Sequence, residues 1–306
     1  MMEIVGKTNI DFMGKRNIAF TVSGILVSLG FLAIVGILVG WANLGIDFAG
    51  GTAVQLKFDK LLLIAEARKA LDAHGLGAAE LQEFPQDQKL LIRVKTETTI
   101  EEEVSKNIIQ AFQAEFPDHG FVVDSSTSIG PTIGKKLQAD ALIAVILSLT
   151  GIILYIAVRF EFRFGVSAAV ATFHDVLAVL GIYFLLDKEI TLLVVTALLT
   201  LAGYSLTDTV IVFDRIRENL RLRRRETTTT IINNGINQVL SRTLITTLTV
   251  VLVLGPLTVW GGEVLHDFSL ALLLGVIVGT YSSIFVASPL LLLWPGAEGK
   301  LLSRGK

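Results

Sequence analysis

The sequence predicts a membrane protein: six transmembrane helices carrying one extramembrane βαββαβ domain. Two observations carry the prediction, namely six apolar runs long enough to cross a bilayer and one long polar segment, 41–138, between the first and second. Composition agrees, since 52% of the 306 residues are hydrophobic and the mean hydropathy is +0.66, while 18% charged residues require a water-exposed part. The net charge of −2, with basic residues beside the apolar runs and not in a continuous stripe, argues against a nucleic-acid partner. The chain has no cysteine, which excludes disulfides and thiolate metal sites, and neither a metal nor a cofactor is expected.

The apolar runs are Ile18–Gly40, Ala139–Val158, Val166–Leu186, Ile190–Phe213, Thr243–Trp260 and Phe268–Trp294, each close to the roughly 20 residues that span a bilayer. Lys7, Lys15 and Arg16 precede the first. Arg159 and Arg163 follow the second, Arg215 to Arg225 separates the fourth and fifth, and Lys300, Arg304 and Lys306 close the chain. The positive-inside rule puts all of these in the cytoplasm, with both termini there. The chain thus divides into a cytoplasmic segment 1–17, a first span 18–40, an external domain 41–138, five spans within 139–294 and a cytoplasmic tail 295–306. The first run is longer than a signal-peptide core and lacks a small-residue cleavage site, so it reads as an uncleaved anchor. The arginine loop reads as a topology determinant that touches lipid headgroups, with Asp214 and Glu218 spaced to extend span four as helix.

Within 41–138, Val54–Phe58 alternates as a strand, Leu61–Ala73 has helical spacing, and Ala79–Phe84 and Lys89–Val94 read as strands joined by a turn at Pro85. Thr98–Phe116 is a second helix with an apolar face of Val104, Ile108, Ala111, Phe112 and Phe116, and Phe121–Ile129 is the last strand. The order βαββαβ predicts a ferredoxin-like sandwich, a fold that names no function. Ahead of it, Gly45-Ile-Asp-Phe-Ala-Gly-Gly51 reads as a tight turn feeding the first strand. Gly50 and Gly51 permit positive φ and close backbone approach, and Asp47 caps the turn. A phosphate-binding loop would need a lysine and a following helix that are absent.

Asp208 is the most informative single residue, a carboxylate inside an otherwise apolar and hydroxyl-bearing run. An acid at the centre of a membrane helix costs roughly 2.5–3.5 kcal/mol or more, so it faces the bundle interior and marks an ion or proton path. Helical spacing puts Ser205, Asp208, Thr209 and Val212 on one side of span four, and Arg242, Thr246 and Thr249 on one face of span five. The threonines line a hydrated crevice or bond their own helix carbonyls. Asp175 falls on a small-residue stripe with Ala168, Ala171 and Ala178, as a second relay member or a buried hydrogen-bonding residue. His174 beside it reads as a packing residue, and neighbours in sequence do not share a helix face, so the two are not expected to form a dyad.

Five strings, Gly45–Thr52 (GIDFAGGT), Ile129–Leu137 (IGPTIGKKL), His174-Asp175, Gly203–Asn219 (GYSLTDTVIVFDRIREN) and Ser241–Thr247 (SRTLITT), together resemble the SecF family of the SecD/SecF protein-export complex across nearly the whole chain. The resemblance implies half of a resistance-nodulation-division-like bundle with a periplasmic ferredoxin-like domain, in the bacterial inner membrane. It implies a transport subunit and not an enzyme. The expected partners are SecD, the SecYEG translocon, the accessory proteins YajC and YidC, an unfolded preprotein and the lipid bilayer. It further implies that Asp208 is the family's membrane carboxylate and Arg242 its arginine near the start of span five, coupling the proton-motive force, or a sodium gradient, to preprotein movement. Two other readings compete. A small-molecule exporter shares the half-bundle. An intramembrane aspartyl protease would use Asp175 and Asp208, but the residues around them lack that family's motifs.

Overall fold

The computed structural model describes residues 8–60, 62–95, 101–117, 119–223 and 225–293. Lys7, Leu61, the expected helix start at Thr98, Arg224 and the tail from Trp294 lie outside the described residues. Six helices among these are long and apolar enough to cross a membrane. They are α1 (Arg16–Val39), α5 (Pro131–Arg159), α6 (Phe162–Leu185), α7 (Leu192–Leu222), α8 (Thr228–Trp260) and α9 (Gly262–Ser282). The last runs on through a π-helical turn, Ser283–Ala287, into the short α10 (Ser288–Leu290). Helices α6, α7 and α9 form the buried centre, α1 packs on α6, and α8 packs on α9 and α7. Gly30 and Gly181 let α1 and α6 touch through their backbones, since a Cβ on Gly181 would lie 2.6 Å from the Gly30 nitrogen.

The extramembrane domain follows α1. After the short α2 (Ile46–Ala49) come β1 (Gly51–Phe58), α3 (Ile64–Ala73), β2 (Glu80–Phe84), β3 (Lys89–Val94), α4 (Glu101–Glu115) and β4 (Phe121–Ile129). The strands form one antiparallel sheet ordered β2-β3-β1-β4, as a ferredoxin-like sandwich requires. Its core is apolar because Val54, Leu56, Phe58, Leu90 and Ile92 alternate onto the face covered by Ala67, Leu71, Ile108 and Phe112. Phe58, Phe112 and Phe121 meet ring to ring at centroid distances of 5.7–6.4 Å. Phe58 and Phe112 are fully buried, and full burial of such a ring contributes about 1.5–3 kcal/mol.

Three expectations are corrected. The glycine string is not merely a turn, since Ile46–Ala49 is one helical turn, ended by Gly50 at φ 79° and Gly51 at φ 141°. Asp47 does not cap that turn either. Its Oδ2 accepts from the backbone nitrogen of Leu192 at 2.9 Å, capping α7 at the far side of the seam between domain and membrane helices. Finally, α8 begins fifteen residues before the apolar run that marked span five. Thr227 caps it by accepting from the Thr230 nitrogen at 3.3 Å, and Ile231, Ile232 and Ile236 pack on Phe213, Ile216 and Leu220 of α7. At 1.5 Å per residue these 33 residues reach about 50 Å, well beyond the roughly 30 Å hydrocarbon layer. Thus the arginine segment is mostly helix end. Arg217 pairs with Glu161 at 2.7 Å, Arg215 with Glu218 at 2.6 Å and Arg223 with Glu226 at 3.3 Å.

Candidate functional site

Polar side chains are buried at membrane depth in two adjoining nodes. The first lies between α6, α7 and α9. Asp175, fully buried, accepts from Ser282 at Oδ2 (2.8 Å) and from Ser205 at the same oxygen. Its Oδ1 meets His174 Nδ1 at 2.9 Å, so the two residues do form a bonded pair, against expectation. The face rule describes where Cβ points, whereas the imidazole reaches around the helix to find a partner in a dry core, where an unbonded polar group costs about 1–3 kcal/mol. The small-residue stripe holds as expected: Ala168, Ala171 and Ala178 are fully buried. Gly279 admits the node to α9, since a Cβ there would sit 3.1 Å from Ser205.

The second node lies between α7, α8 and α9. Asp208 is 8% exposed, and Thr209 beside it exchanges a hydrogen bond with Ser283 at 3.0 Å. The hydroxyls of Thr243 and Ser283 approach Asp208. Yet Asp208 Oδ2 and Thr243 Oγ1 are both buried with no aligned hydrogen bond. Consecutive serines tie the nodes together, Ser282 reaching Asp175 and Ser283 reaching Thr209, where α9 widens into its π-helical turn. Such turns reset the facing of side chains and often mark functional sites.

The helical face Ser205, Asp208, Thr209, Val212 is buried as expected, but Ser205 serves Asp175 and not Asp208. Arg242 is exposed and forms no ion pair with Asp208 among the described residues. It stands about 21 Å along α8, in mid-helix. Thr246 bonds the carbonyls of Arg242 (3.1 Å) and Thr243 (2.8 Å), and Thr249 that of Thr246 (2.7 Å), so these hydroxyls satisfy their own helix. Sequence reading missed Thr243, Ser282 and Ser283. The signal for the last two was a Tyr-Ser-Ser break in the sixth apolar run.

A polar stripe faces outward beside the second node. Thr196, Thr200, Gly203 and Thr207 of α7 and Arg242, Thr246 and Thr249 of α8 are all exposed on this chain alone. Small and hydroxyl residues let membrane helices approach closely, and an arginine facing bare lipid at the start of an apolar run is costly. No group of three or more His, Cys, Asp or Glu side chains is placed to hold a metal among the described residues.

Fold and site together define an integral membrane protein with carboxylates buried where its helices meet and a ferredoxin-like domain inserted after the first span. The family model for the protein export membrane protein SecD/SecF, C-terminal, matches residues 97–297, and that for the SecD/SecF GG motif matches 36–60. The chain belongs to the SecD/SecF protein-export family. It is 51% identical to the protein translocase subunit SecF of Thermodesulfovibrio yellowstonii, over 96% of this chain and 97% of that one. With the SecF of Magnetococcus marinus it shares 42%, over 98% and 97%. It superposes on the crystal structure of SecDF, a translocon-associated membrane protein from Thermus thermophilus, with a TM-score of 0.80 at 35% identity. That match covers 96% of this chain and 40% of the SecDF chain. The super-membrane-facing form of SecDF matches with a TM-score of 0.68 at 36% identity. These relatives favour protein export over small-molecule export.

Proposed function

We propose that this chain acts as the SecF subunit in Sec-dependent protein export: it pairs with SecD, associates with the SecYEG translocon in the inner membrane, and couples the proton-motive force to forward movement of preproteins. YajC and YidC are further partners on this reading. Asp208 carries it, a buried carboxyl with an unpartnered oxygen beside a polar, arginine-bearing helix face. That face is the surface assigned to SecD, whose helices would enclose Arg242 and close the second node from lipid.

Burial disfavours the charged carboxylate and a nearby arginine favours it. A helix movement that brings Arg242 to Asp208 therefore expels a proton, and one that withdraws it takes a proton up. Each charge crossing the full membrane potential supplies about 2.3 kcal/mol per 100 mV, more than tenfold in an equilibrium between two bundle arrangements. Asp175, with its bonds already satisfied by His174, Ser205 and Ser282, holds α6, α7 and α9 in register around that movement.

The test is preprotein translocation into vesicles carrying an imposed proton or sodium gradient. Asp208→Asn keeps volume and hydrogen bonding but cannot exchange a proton, so it should assemble with SecD and lose the gradient-dependent part of export. Full gradient-driven export by a stably expressed Asn variant refutes the reading, and stimulation by sodium alone reassigns the ion.

A further inference from the structure

The extramembrane domain meets the membrane helices at several places, α2 packing on α5 and Phe84 of β2 meeting His266 of α9 among them, and one seam lies at the α6–α7 turn. The linker after α1 runs beside the α6–α7 turn: Ile190 donates to the Asn43 carbonyl (2.8 Å) and Gly45 to the Ile190 carbonyl (3.0 Å). Over this zipper lies a charged cluster. Lys95 donates to Glu80 Oε1 and to Asn43 Oδ1, both at 2.7 Å, and Asn43 donates to Glu80 Oε2 at 3.3 Å. Arg93 of β3 brings Nε to within 3.2 Å of Glu189 Oε2 on the α6–α7 turn, while its Nη1 donates to Gln82 Oε1 at 3.0 Å.

Glu189 is the anomaly. It is only 6% exposed, and neither carboxyl oxygen accepts an aligned hydrogen bond among the described residues. Lys95 is occupied by Glu80 and Asn43, and the Arg93 N–H does not point at the carboxylate it approaches. An ionised carboxylate left like this has the Arg93 charge to offset its burial but loses the hydrogen bonds it would make to water, which is costly. A protonated one is neutral, and Glu80, which stands opposite the same Arg93 across β2 and β3, is the neighbouring carboxyl to accept its proton.

We infer that Glu189 and Glu80 form a second protonation site, separate from Asp208, whose single shared proton pins the extramembrane domain to the α6–α7 turn. Burial, then the Glu80 carboxyl, push Glu189 up to about 8, with the charges of Arg93 and Lys95 opposing. For Glu80, burial acts upward but is outweighed by the bonds from Glu189, Lys95 and Asn43, which draw it down to about 2. The other charged groups along the seam are Asp187 and Lys188 on the turn, and Asp47, whose carboxylate is committed to Leu192.

The docked state therefore holds one more proton than the undocked state between the ordinary glutamate range and about pH 8. Docking is strongest at the acidic end of that window and weakens about tenfold per pH unit as pH rises through it. Below that range Glu80 reverses the trend as it is neutralised. With the domain outside the cytoplasm, as the proposed function has it, an acidic exterior fastens the domain down and an alkaline one frees it.

The experiment is amide hydrogen exchange of the full chain with SecD in lipid nanodiscs, from pH 6 to 9, reading the Gly45 and Ile190 amides in wild type and in Glu189→Gln. Comparing the two at each pH cancels the intrinsic base catalysis of exchange. Protection in wild type relative to the Gln variant should fall about tenfold per pH unit up to about pH 8 and then level. In Glu80→Gln the levelling point should move to lower pH, because the neighbouring negative charge is gone. The Ile92 amide, in the domain core, reports whether each variant is folded. A wild-type to Gln ratio that stays constant across the range overturns the inference. No gradient or preprotein is present, so a failure of the export reading leaves this result standing, and the reverse holds too.

Discussion

Gly51→Ala tests whether the glycine pair is structural in the way the backbone requires. Gly51 has φ 141°, and a Cβ built on it would lie 2.3 Å from the Val94 carbonyl oxygen and 3.0 Å from the Lys95 Cα. The backbone conformation alone costs about 1–3 kcal/mol for a residue with a side chain. Relieving the overlap means moving β1 or β3 by about 1 Å, because unstrained carbon–oxygen approaches are about 3.3–3.6 Å. That movement loosens the Thr52–Val94 pair at the head of the β1–β3 ladder, worth about 0.5–1.5 kcal/mol. Together these give about 2–4 kcal/mol, or about 30- to 1,000-fold in the equilibrium for opening the ladder. Amide exchange at Ala53 and Ile92 reads it. Gly75→Ala is the control, since Gly75 also has positive φ, at 75°, but nothing within 4 Å of a built Cβ. The reasoning is refuted if Gly51→Ala leaves exchange at those amides within threefold of wild type.

Asp47→Ala removes the acceptor of the Leu192 N–H and should lower thermal stability by about 1 kcal/mol, with loss concentrated in exchange at Leu192 and its neighbours; an unchanged melting curve and unchanged exchange would show the cap to be idle. Arg242→Lys should reduce export and Arg242→Ala remove most of it, because planar donors and not charge alone are required. The double variant with Asp208→Asn should cost little more than the more severe single change, whereas additive losses in vesicle translocation would separate the two residues.

Much of this protein was legible in its sequence because its elements follow single periods. The apolar runs gave six spans, and the turn residues that bound β3 and β4 gave those strands to the residue. Boundaries failed where a helix leaves the membrane: Thr228–Arg242 is polar enough to resemble a loop, yet its isoleucines bind it to α7. Asp208 was found because a carboxylate in an apolar run is conspicuous, and Asp175 for the same reason. Their partners were less visible. Serine and threonine are common in membrane helices, and beyond the Tyr-Ser-Ser break nothing local distinguishes Ser282, which holds Asp175, from Thr150, which bonds only its own helix carbonyl. Glu189 was missed altogether, since a charged residue between two spans looks solvated until the β2–β3 hairpin is folded over it.

Helix α7 joins the site to the seam. Its first N–H is held by Asp47, the Glu189 turn leads directly into it, and Asp208 lies sixteen residues farther on, about 24 Å along the axis. Hydrogen bonds along a helix make it stiff over that length, so a shift of α7 that changes the distance between Asp208 and Arg242 also displaces the turn under Glu80 and Arg93. Energetic coupling still requires an element with two arrangements. The α9 turn at Ser283–Ala287 is placed for this, because its first serine contacts Thr209 and the preceding one Asp175. A π turn that reverts to regular helix rotates the downstream end of that helix by most of a residue, which would exchange one set of serine contacts for another. Protonation at Asp208 and docking at Glu189 would then bias the same helix from opposite ends, and by reciprocity the state of the domain must bias proton affinity in the membrane as much as the proton biases the domain.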